Sequence, residues 1–383
     1  MLSLTPVTLE FNSFWQQLNK AQTNDVVNKT KTIEDLEKLI QTHNVNGELL
    51  PFCQQLMLSE MEFQTHLAKE RMQLSATLSN KVYQYTGSFF DLPNGKSWYL
   101  HWLKSWLMTE VDLDTLKSIA HQELAEVKLK RATLVNSNLP KNNHFFYQKD
   151  HLKIVQAFNN RERTVNRKIQ DVLGVNFQAD AVNITASNLP KSFPAPGIYN
   201  PDTKSFIYHL QTNIFPEKQM DWLFLHEGIP GHHFQSEYAI KHAACPKLSN
   251  LSTSTVFIEG WAAYVETLGH ELGLYQDSDS FEYALDWQAL RAVRVLLDIA
   301  IHYQGWTDKQ AQQLWLTHIP KQKDIMDREI ARIRRWPAQV ITYVYGKSQI
   351  ENAVNLLVKT RSKSEAHKKI LTLSNLSLMS LKL

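Results

Sequence analysis

The chain is expected to be mainly α-helical with a small β-sheet near its centre, and three observations point there. Glycine is scarce, at 12 of 383 residues, while helix-forming residues dominate the remainder. One interval, residues 174–216, changes to alternating, β-branched and aromatic segments that read as strands. Beyond residue 217 the helical pattern resumes and runs to the end. With 43% hydrophobic and 21% charged residues, the chain can bury a large core.

Taken in order, residues 10–86 read as amphipathic helices with polar breaks such as Asn44-Val45-Asn46-Gly47. Residues 87–96 are rich in turn formers, and residues 98–106 are strongly aromatic. Asp112-Leu113-Asp114 caps a long helix reaching about Leu134; a loop follows over 136–143, then another helix over about 150–173. Val182-Asn183-Ile184-Thr185 and Ser205-Phe206-Ile207-Tyr208-His209-Leu210 read as strands. Between them Phe193-Pro194-Ala195-Pro196-Gly197-Ile198-Tyr199 forms a proline-rich turn and a short strand. The helices after residue 217 are expected to break near Gly305, Pro320, Pro337 and Gly346. This divides the chain into an N-terminal helical region, 1–173, and a catalytic region, 174–383, within one continuous structural unit.

Composition narrows the partners. Lys and Arg number 41 against 38 Asp and Glu, a net charge of +3, too balanced for a nucleic-acid binder. Basic runs such as Lys128-Leu129-Lys130-Arg131 read as solvated helix faces. No segment approaches the ~18 apolar residues of a membrane span, and Met1-Leu2-Ser3-Leu4 opens no secretory signal, so a cytoplasmic location is expected. The two cysteines, Cys53 and Cys245, imply no disulfide framework; they could pair with each other, but free or buried thiols are the favoured expectation.

The chemistry concentrates in His226-Glu227-Gly228-Ile229-Pro230-Gly231-His232-His233, inside an apolar run. Two imidazoles and an adjacent carboxylate are what a hydrolytic zinc site needs: ligands, and a base for water. The usual helical spacing is His-Glu-x-x-His, but here the fourth residue after His226 is Pro230. On an unbroken helix His232 would lie roughly 9 Å along the axis from His226, at ~1.5 Å per residue, too far for one zinc with ~2.1 Å bonds. Pro230-Gly231 therefore reads as a bulge that expels extra residues. Expelling two brings His232 to the ligand position, which is favoured; expelling three brings His233.

A third ligand is expected from Phe257-Ile258-Glu259-Gly260-Trp261-Ala262-Ala263-Tyr264-Val265-Glu266. Glu259 follows His232 by a helix-loop-helix return and is assigned as ligand; Glu266, two turns on, would orient a ligand histidine or meet substrate. Arg291, Arg294, Asp298 and His302 form one polar stripe on an otherwise apolar helix. It reads either as an internal Arg–Asp–His network or as support for the metal and a clamp for a substrate carboxylate. Tyr343, with Tyr345 in reserve, is a neutral donor for an oxyanion.

These motifs together resemble the bacterial family called "domain of unknown function 885". They are His-Glu-x-x-Pro-Gly-His-His, Glu-Gly-Trp-Ala-x-Tyr-x-Glu, Arg-x-x-Arg-x-x-x-Asp-x-x-x-His with Gly305-Trp306-Thr307, and Pro-x-Gln-x-x-x-Tyr-x-x-Gly. That family is similar to gluzincin metallopeptidases of the thimet oligopeptidase and carboxypeptidase Taq types. The resemblance implies a mostly helical peptidase fold with a central substrate channel, one zinc per chain and a peptide substrate. It implies His226, His232 and Glu259 as ligands, Glu227 as base and Tyr343 as oxyanion donor. Trp336 and Ala338 stand where the family usually has tyrosine and glycine. The expected activity is a zinc-dependent metallopeptidase. The alternatives are a zinc hydrolase of a non-peptide amide or ester, and a non-catalytic helical protein stabilised by its metal.

Overall fold

A computed structural model describes residues 51–78, 85–245 apart from Ser192 and Pro194, 254–381 apart from Asn375, and most of 31–41. The expected break at Asn44-Val45-Asn46-Gly47 lies outside the described residues. The first half contributes α1 (Phe52–Ala76), α2 (Gly95–Leu107), α3 (Leu113–Val135), β1 (Phe145–Tyr147), α4 (His151–Asn166) and α5 (Ile169–Leu173). Four short strands follow: β2 (Asn183–Ala186), β3 (Gly197–Asn200), β4 (Ser205–Tyr208) and β5 (Ile214–Pro216). The rest is helical: α6 (Met220–Glu227), α7 (His232–His242), α8 (Thr255–Val265), α9 (Ser278–His302), α10 (Asp308–His318), α11 (Met326–Arg335), α12 (Ile341–Leu357) and α13 (Lys363–Thr372).

Capping explains several helix starts. Asp112 accepts the backbone N–H groups of Asp114 and Thr115 at 2.9 Å each, where the sequence predicts the start of α3. Thr307 and Gln310 form a reciprocal capping box on α10, and Ser362 and Glu365 form another on α13. The expected helix over 150–173 is two helices, divided at Arg167 and Lys168.

The three predicted strands form one sheet in the order β2-β4-β3, with β2 parallel and β3 antiparallel to β4. The sequence reading missed a second, two-stranded sheet: β1 pairs antiparallel with β5, Phe146 opposite Phe215. Both residues are buried, so this pairing fastens the first half of the chain to the segment just before α6.

Helix α9 is the centre of the core. Every residue from Ala289 to His302 is buried. It packs against α3, α6, α10, α11 and α12. No helix among the described residues is long and apolar enough to cross a membrane.

Two expectations are corrected. Cys53 and Cys245 are not free thiols: they are joined as a disulfide across 192 residues of sequence, linking α1 to the segment after α7. Gly346 does not break a helix; it lies inside α12. Its reason is packing. A Cβ on Gly346 would lie 2.1 Å from the carbonyl oxygen of Val256 and 2.7 Å from Cα of Gly260, and one on Gly260 would lie 2.4 Å from the carbonyl carbon of Gly346. Helices α8 and α12 therefore cross backbone to backbone, which only glycine on both sides permits. Gly346→Ala should destabilise the fold by about 3 kcal/mol, the cost of overpacking at a backbone contact. Urea unfolding with an unchanged midpoint would contradict this account of the crossing.

Candidate metal centre

Helix α6 is buried along its whole length, and His226 and Glu227 are its last two residues. The helix stops because residues 228–231 leave helical geometry, and α7 starts afresh at His232. The expected bulge is thus a break between two helices. A Cβ on Gly231 would lie 2.0 Å from the carbonyl oxygen of His226, so the chain can fold this tightly over the end of α6 only with glycine there. The turn is pinned from outside: the indole N–H of Trp261 on α8 donates to the carbonyl of Pro230 at 2.9 Å. Trp261 follows Glu259 by two residues, so the same helix segment anchors the break and supplies a carboxylate to it.

The result is a cluster of His226, His232 and Glu259 whose ligand atoms all lie within 4.8 Å of one another. Oε2 of Glu259 is 3.6 Å from Nε2 of His226 and 3.5 Å from Nε2 of His232. Tetrahedral donors on one zinc at ~2.1 Å stand about 3.4 Å apart. Oε2 of Glu259 is sealed from solvent with no hydrogen-bond partner, as is Nδ1 of His232. A buried, unsatisfied carboxylate oxygen facing two imidazoles is costly unless a cation completes it. The donor set, two nitrogens and one oxygen, therefore fits zinc.

His226 is oriented by a buried ion pair. Its Nδ1 lies 2.7 Å from Oε1 of Glu266, and Nη1 of Arg291 donates to both Glu266 oxygens at 2.8 and 2.7 Å. Nη2 of Arg291 is 3.2 Å from the same Nδ1. Since Glu266 is the acceptor in this trio, Nδ1 of His226 carries a proton, so the proton that the ring gains or loses is the one on Nε2, which faces Glu259. Burial pushes His226 down, but the carboxylates of Glu259 and Glu266 outweigh it and raise the imidazole to about 9. Burial likewise pushes Glu259 up, yet His226 and His232 hold it well below the usual carboxylate range.

The cluster opens on a cleft of about 250 Å³. Glu227 lines it, with one oxygen fixed by the backbone N–H of Tyr199 on β3 at 2.7 Å. Tyr343 lines it too: its ring centroid is 6.3 Å from that of His226, and the Arg291 guanidinium sits 5.0 Å over the ring. Trp222 stacks on Trp287 at 4.4 Å and on His226 at 5.8 Å. The arrangement offers a three-donor metal cradle, a free carboxylate beside it and a phenol within the same cleft.

Other candidates fall elsewhere. His233 points away from the cluster, to the carbonyl of Asp180 at 2.8 Å and the hydroxyl of Tyr199 at 3.2 Å, which leaves His232 as the second histidine. The polar stripe of α9 is not one network. Arg294 donates to Glu329, and Asp298 accepts from Tyr99 and from the backbone of Ala338. His302 contacts Ile333 and Phe89. Burial pushes Asp298 up to about 7 and His302 down to about 4. Neither lines the cleft, nor does Tyr345, which packs in the core.

The chain matches the family described as "Bacterial protein of unknown function (DUF885)" over residues 20–364. It belongs to this family. No curated protein matches it. Among solved structures it is similar to a "putative lipoprotein" from Colwellia psychrerythraea, with 20% identity and a TM-score of 0.63, covering 92% of this chain and 68% of that one. It is also similar to a "putative lipoprotein of unknown function" from Shewanella oneidensis, with 15% identity and a TM-score of 0.59, covering 94% and 76%. At these identities the likeness is one of fold.

The sequence reading singled out neither Arg332, which lines the cleft beside Tyr343, nor the backbone N–H of Tyr199. Arg332 sits in a basic run, Arg328 to Arg335, that resembles a solvated face, and a backbone donor leaves no mark in sequence.

Purified protein reconstituted with zinc is expected to hold about one ion per chain, lost in His226→Ala. Glu266→Gln should weaken zinc binding about 10–100-fold, as removal of an orienting partner does. Because a proton on His226 competes with metal, apparent affinity should rise up to roughly tenfold per pH unit below about pH 9 and level off above it. Competition with a chromophoric chelator checks all three; a pH-independent affinity would count against His226 as ligand.

Proposed function

We propose that this protein is a zinc-dependent metallopeptidase of gluzincin type that hydrolyses peptide bonds in peptides lying along the cleft. The observation that carries the reading is a free carboxylate, Glu227, next to a three-donor cluster. A purely structural zinc site is usually closed by four protein ligands, whereas this one has three beside an open cleft. When bound, zinc would polarise the scissile carbonyl and ease ionisation of water.

The chain's own residues supply the rest. Glu227 accepts a proton from the attacking water and passes it to the departing amine nitrogen. The hydrogen bond from Tyr199 N–H fixes one carboxylate oxygen and so the direction in which the other acts. Tyr343 donates its hydroxyl to the oxyanion that forms at the carbonyl. The indole walls of Trp222 and Trp287 limit water around these groups. β3, the edge strand of its sheet, borders the cleft through Gly197, Ile198 and Tyr199, and suits an extended peptide laid alongside.

The disulfide between Cys53 and Cys245 favours an oxidising compartment over the expected cytoplasm. The description of the two structural relatives as "putative lipoprotein" agrees with an exported location.

A peptide library digested with zinc-loaded protein and read by mass spectrometry tests the activity. Glu227→Gln should lower kcat by about 10²–10⁴-fold while zinc stays bound. Tyr343→Phe should lower it by about 10²–10³-fold. Undiminished turnover in Glu227→Gln would remove the base assignment. Turnover of small amides or esters in place of peptides would move the reading to another hydrolase, and no turnover of either would favour a binding protein.

A further inference from the structure

Three arginines line the cleft, Arg291, Arg294 and Arg332, and they differ in how they are satisfied. Arg291 is committed to Glu266 through two hydrogen bonds. Arg294 is committed to Glu329 through its Nε at 2.8 Å and its Nη2 at 2.5 Å. Arg332 has no carboxylate within ion-pair distance among the described residues. Its Nη2 reaches only neutral acceptors, Oε1 of Gln339 at 3.1 Å and the hydroxyl of Tyr343 at 3.4 Å. Its Nε, like that of Arg291, is sealed from solvent and bonds to nothing, so what sets Arg332 apart is the absence of a carboxylate partner. The nearest acid on its own helix, Glu329, is already held by Arg294 and by Arg328.

We propose that Arg332 binds the C-terminal carboxylate of the substrate, making this protein a carboxypeptidase that removes one residue at a time. The proposal rests on the peptidase reading above and names the substrate end which that site takes. A partly buried guanidinium whose hydrogen bonds go to neutral acceptors has no anion beside it, and a carboxylate from the ligand at its cleft-facing nitrogens supplies one. Arginine presents the planar fork that matches a carboxylate with two parallel bonds.

Position sets how far this carboxylate lies from the scissile bond. The hydroxyl of Tyr343 is the donor for the scissile oxygen, and Nη2 of Arg332 is 3.4 Å from that hydroxyl. Consecutive Cα atoms stand about 3.8 Å apart. A charge gripped by Arg332 therefore belongs to the residue next to the scissile bond. Charge decides which end of the peptide enters. A terminal ammonium beside Arg332 would face a guanidinium with no carboxylate partner, whereas a terminal carboxylate supplies the missing anion; Arg291 and Arg294 already have theirs. An internal peptide bond brings no charge and leaves Arg332 as it is. The leaving residue then lies near Trp336, whose ring has the Arg332 guanidinium 5.9 Å and the Arg335 guanidinium 5.6 Å away.

The test compares N-acetylated tripeptides with a free C-terminal carboxylate against the same peptides as C-terminal amides. Binding is read by calorimetry on zinc-loaded Glu227→Gln, and cleavage by mass spectrometry on the native sequence. The acid should bind roughly 10- to 100-fold tighter than the amide, the value of a charge-assisted hydrogen bond pair. Cleavage should release a single C-terminal residue. Adding Arg332→Gln should reduce the binding ratio to about one, and Arg332→Lys should recover part of it, with melting curves confirming that both variants fold. Equal binding of acid and amide overturns the proposal without any Arg332 variant. An amide ending in aspartate that binds as tightly as the free acid would assign Arg332 to an acidic side chain and also overturn it. Internal cleavage indifferent to the terminus would overturn it while leaving the peptidase reading in place. Acid-over-amide discrimination without cleavage of any peptide would keep Arg332 as a carboxylate-binding residue but overturn both the carboxypeptidase proposal and the peptidase reading.

Discussion

Helices α8 and α12 touch backbone to backbone at Gly260 and Gly346, and the geometry of the His226, His232 and Glu259 cluster depends on that contact. Packed helices ordinarily stand 8–10 Å apart, held off by side chains. Here the residues flanking the contact carry the chemistry: Glu259 precedes Gly260, and Tyr343 lies one turn before Gly346. Trp261, on the other side of Gly260, bonds to Pro230 in the break between α6 and α7. Three consecutive residues thus present a carboxylate, admit the neighbouring helix and hold the turn that ends at His232. A side chain at the crossing would move Glu259 relative to both histidines at once.

The buried charges make sense as positioning devices rather than as sources of stability. Taking an ion pair out of water costs several kcal/mol per ion, and good geometry only offsets this. Arg291 and Glu266 are both nearly sealed, and their pairing sets the tautomer and ring direction of His226. Arg294 and Glu329 join α9 to α11, while Asp298 and His302 fasten α9 to α2, to α11 and to the segment before α12. Lys347, 4% exposed, meets Glu123 at 2.6 Å and Glu351 at 3.2 Å, and so ties α12 to α3. Burial of these polar groups leaves few alternative packings, because their partners lie on several neighbouring elements and must be met together.

Helix α7 is held at both ends. Its start is set by the Gly231 turn and the Trp261 bond. Beyond its far end, Cys245 is joined to Cys53 of α1, and the backbone N–H of Ala244 donates to the carbonyl of Thr372 at the end of α13 at 2.8 Å. A long covalent loop restricts the unfolded chain more than the folded one, so the disulfide adds stability without altering the site itself. His232, one of the three clustered residues, is thereby fixed by elements from both halves of the sequence.

What the sequence determined by itself was local. Scarce glycine, helical periodicity and capping residues such as Asp112 made the helices legible, and β-branched alternation made β2 and β4 legible. The grouping of His226, Glu227, His232 and Glu259 was legible because each residue type answers to one chemistry and the spacings are short. The tertiary structure decided what depends on separation through space. It paired β1 with β5 and Cys53 with Cys245, partners too distant in sequence for any local pattern to join. It turned His233 toward Asp180, placed Gly346 within a helix and divided the α9 stripe among several neighbours. It also brought Arg332, which no sequence motif had marked, to the cleft. Side-chain chemistry is written residue by residue, whereas burial, the choice of partner and the approach of two backbones arise only when the whole chain packs.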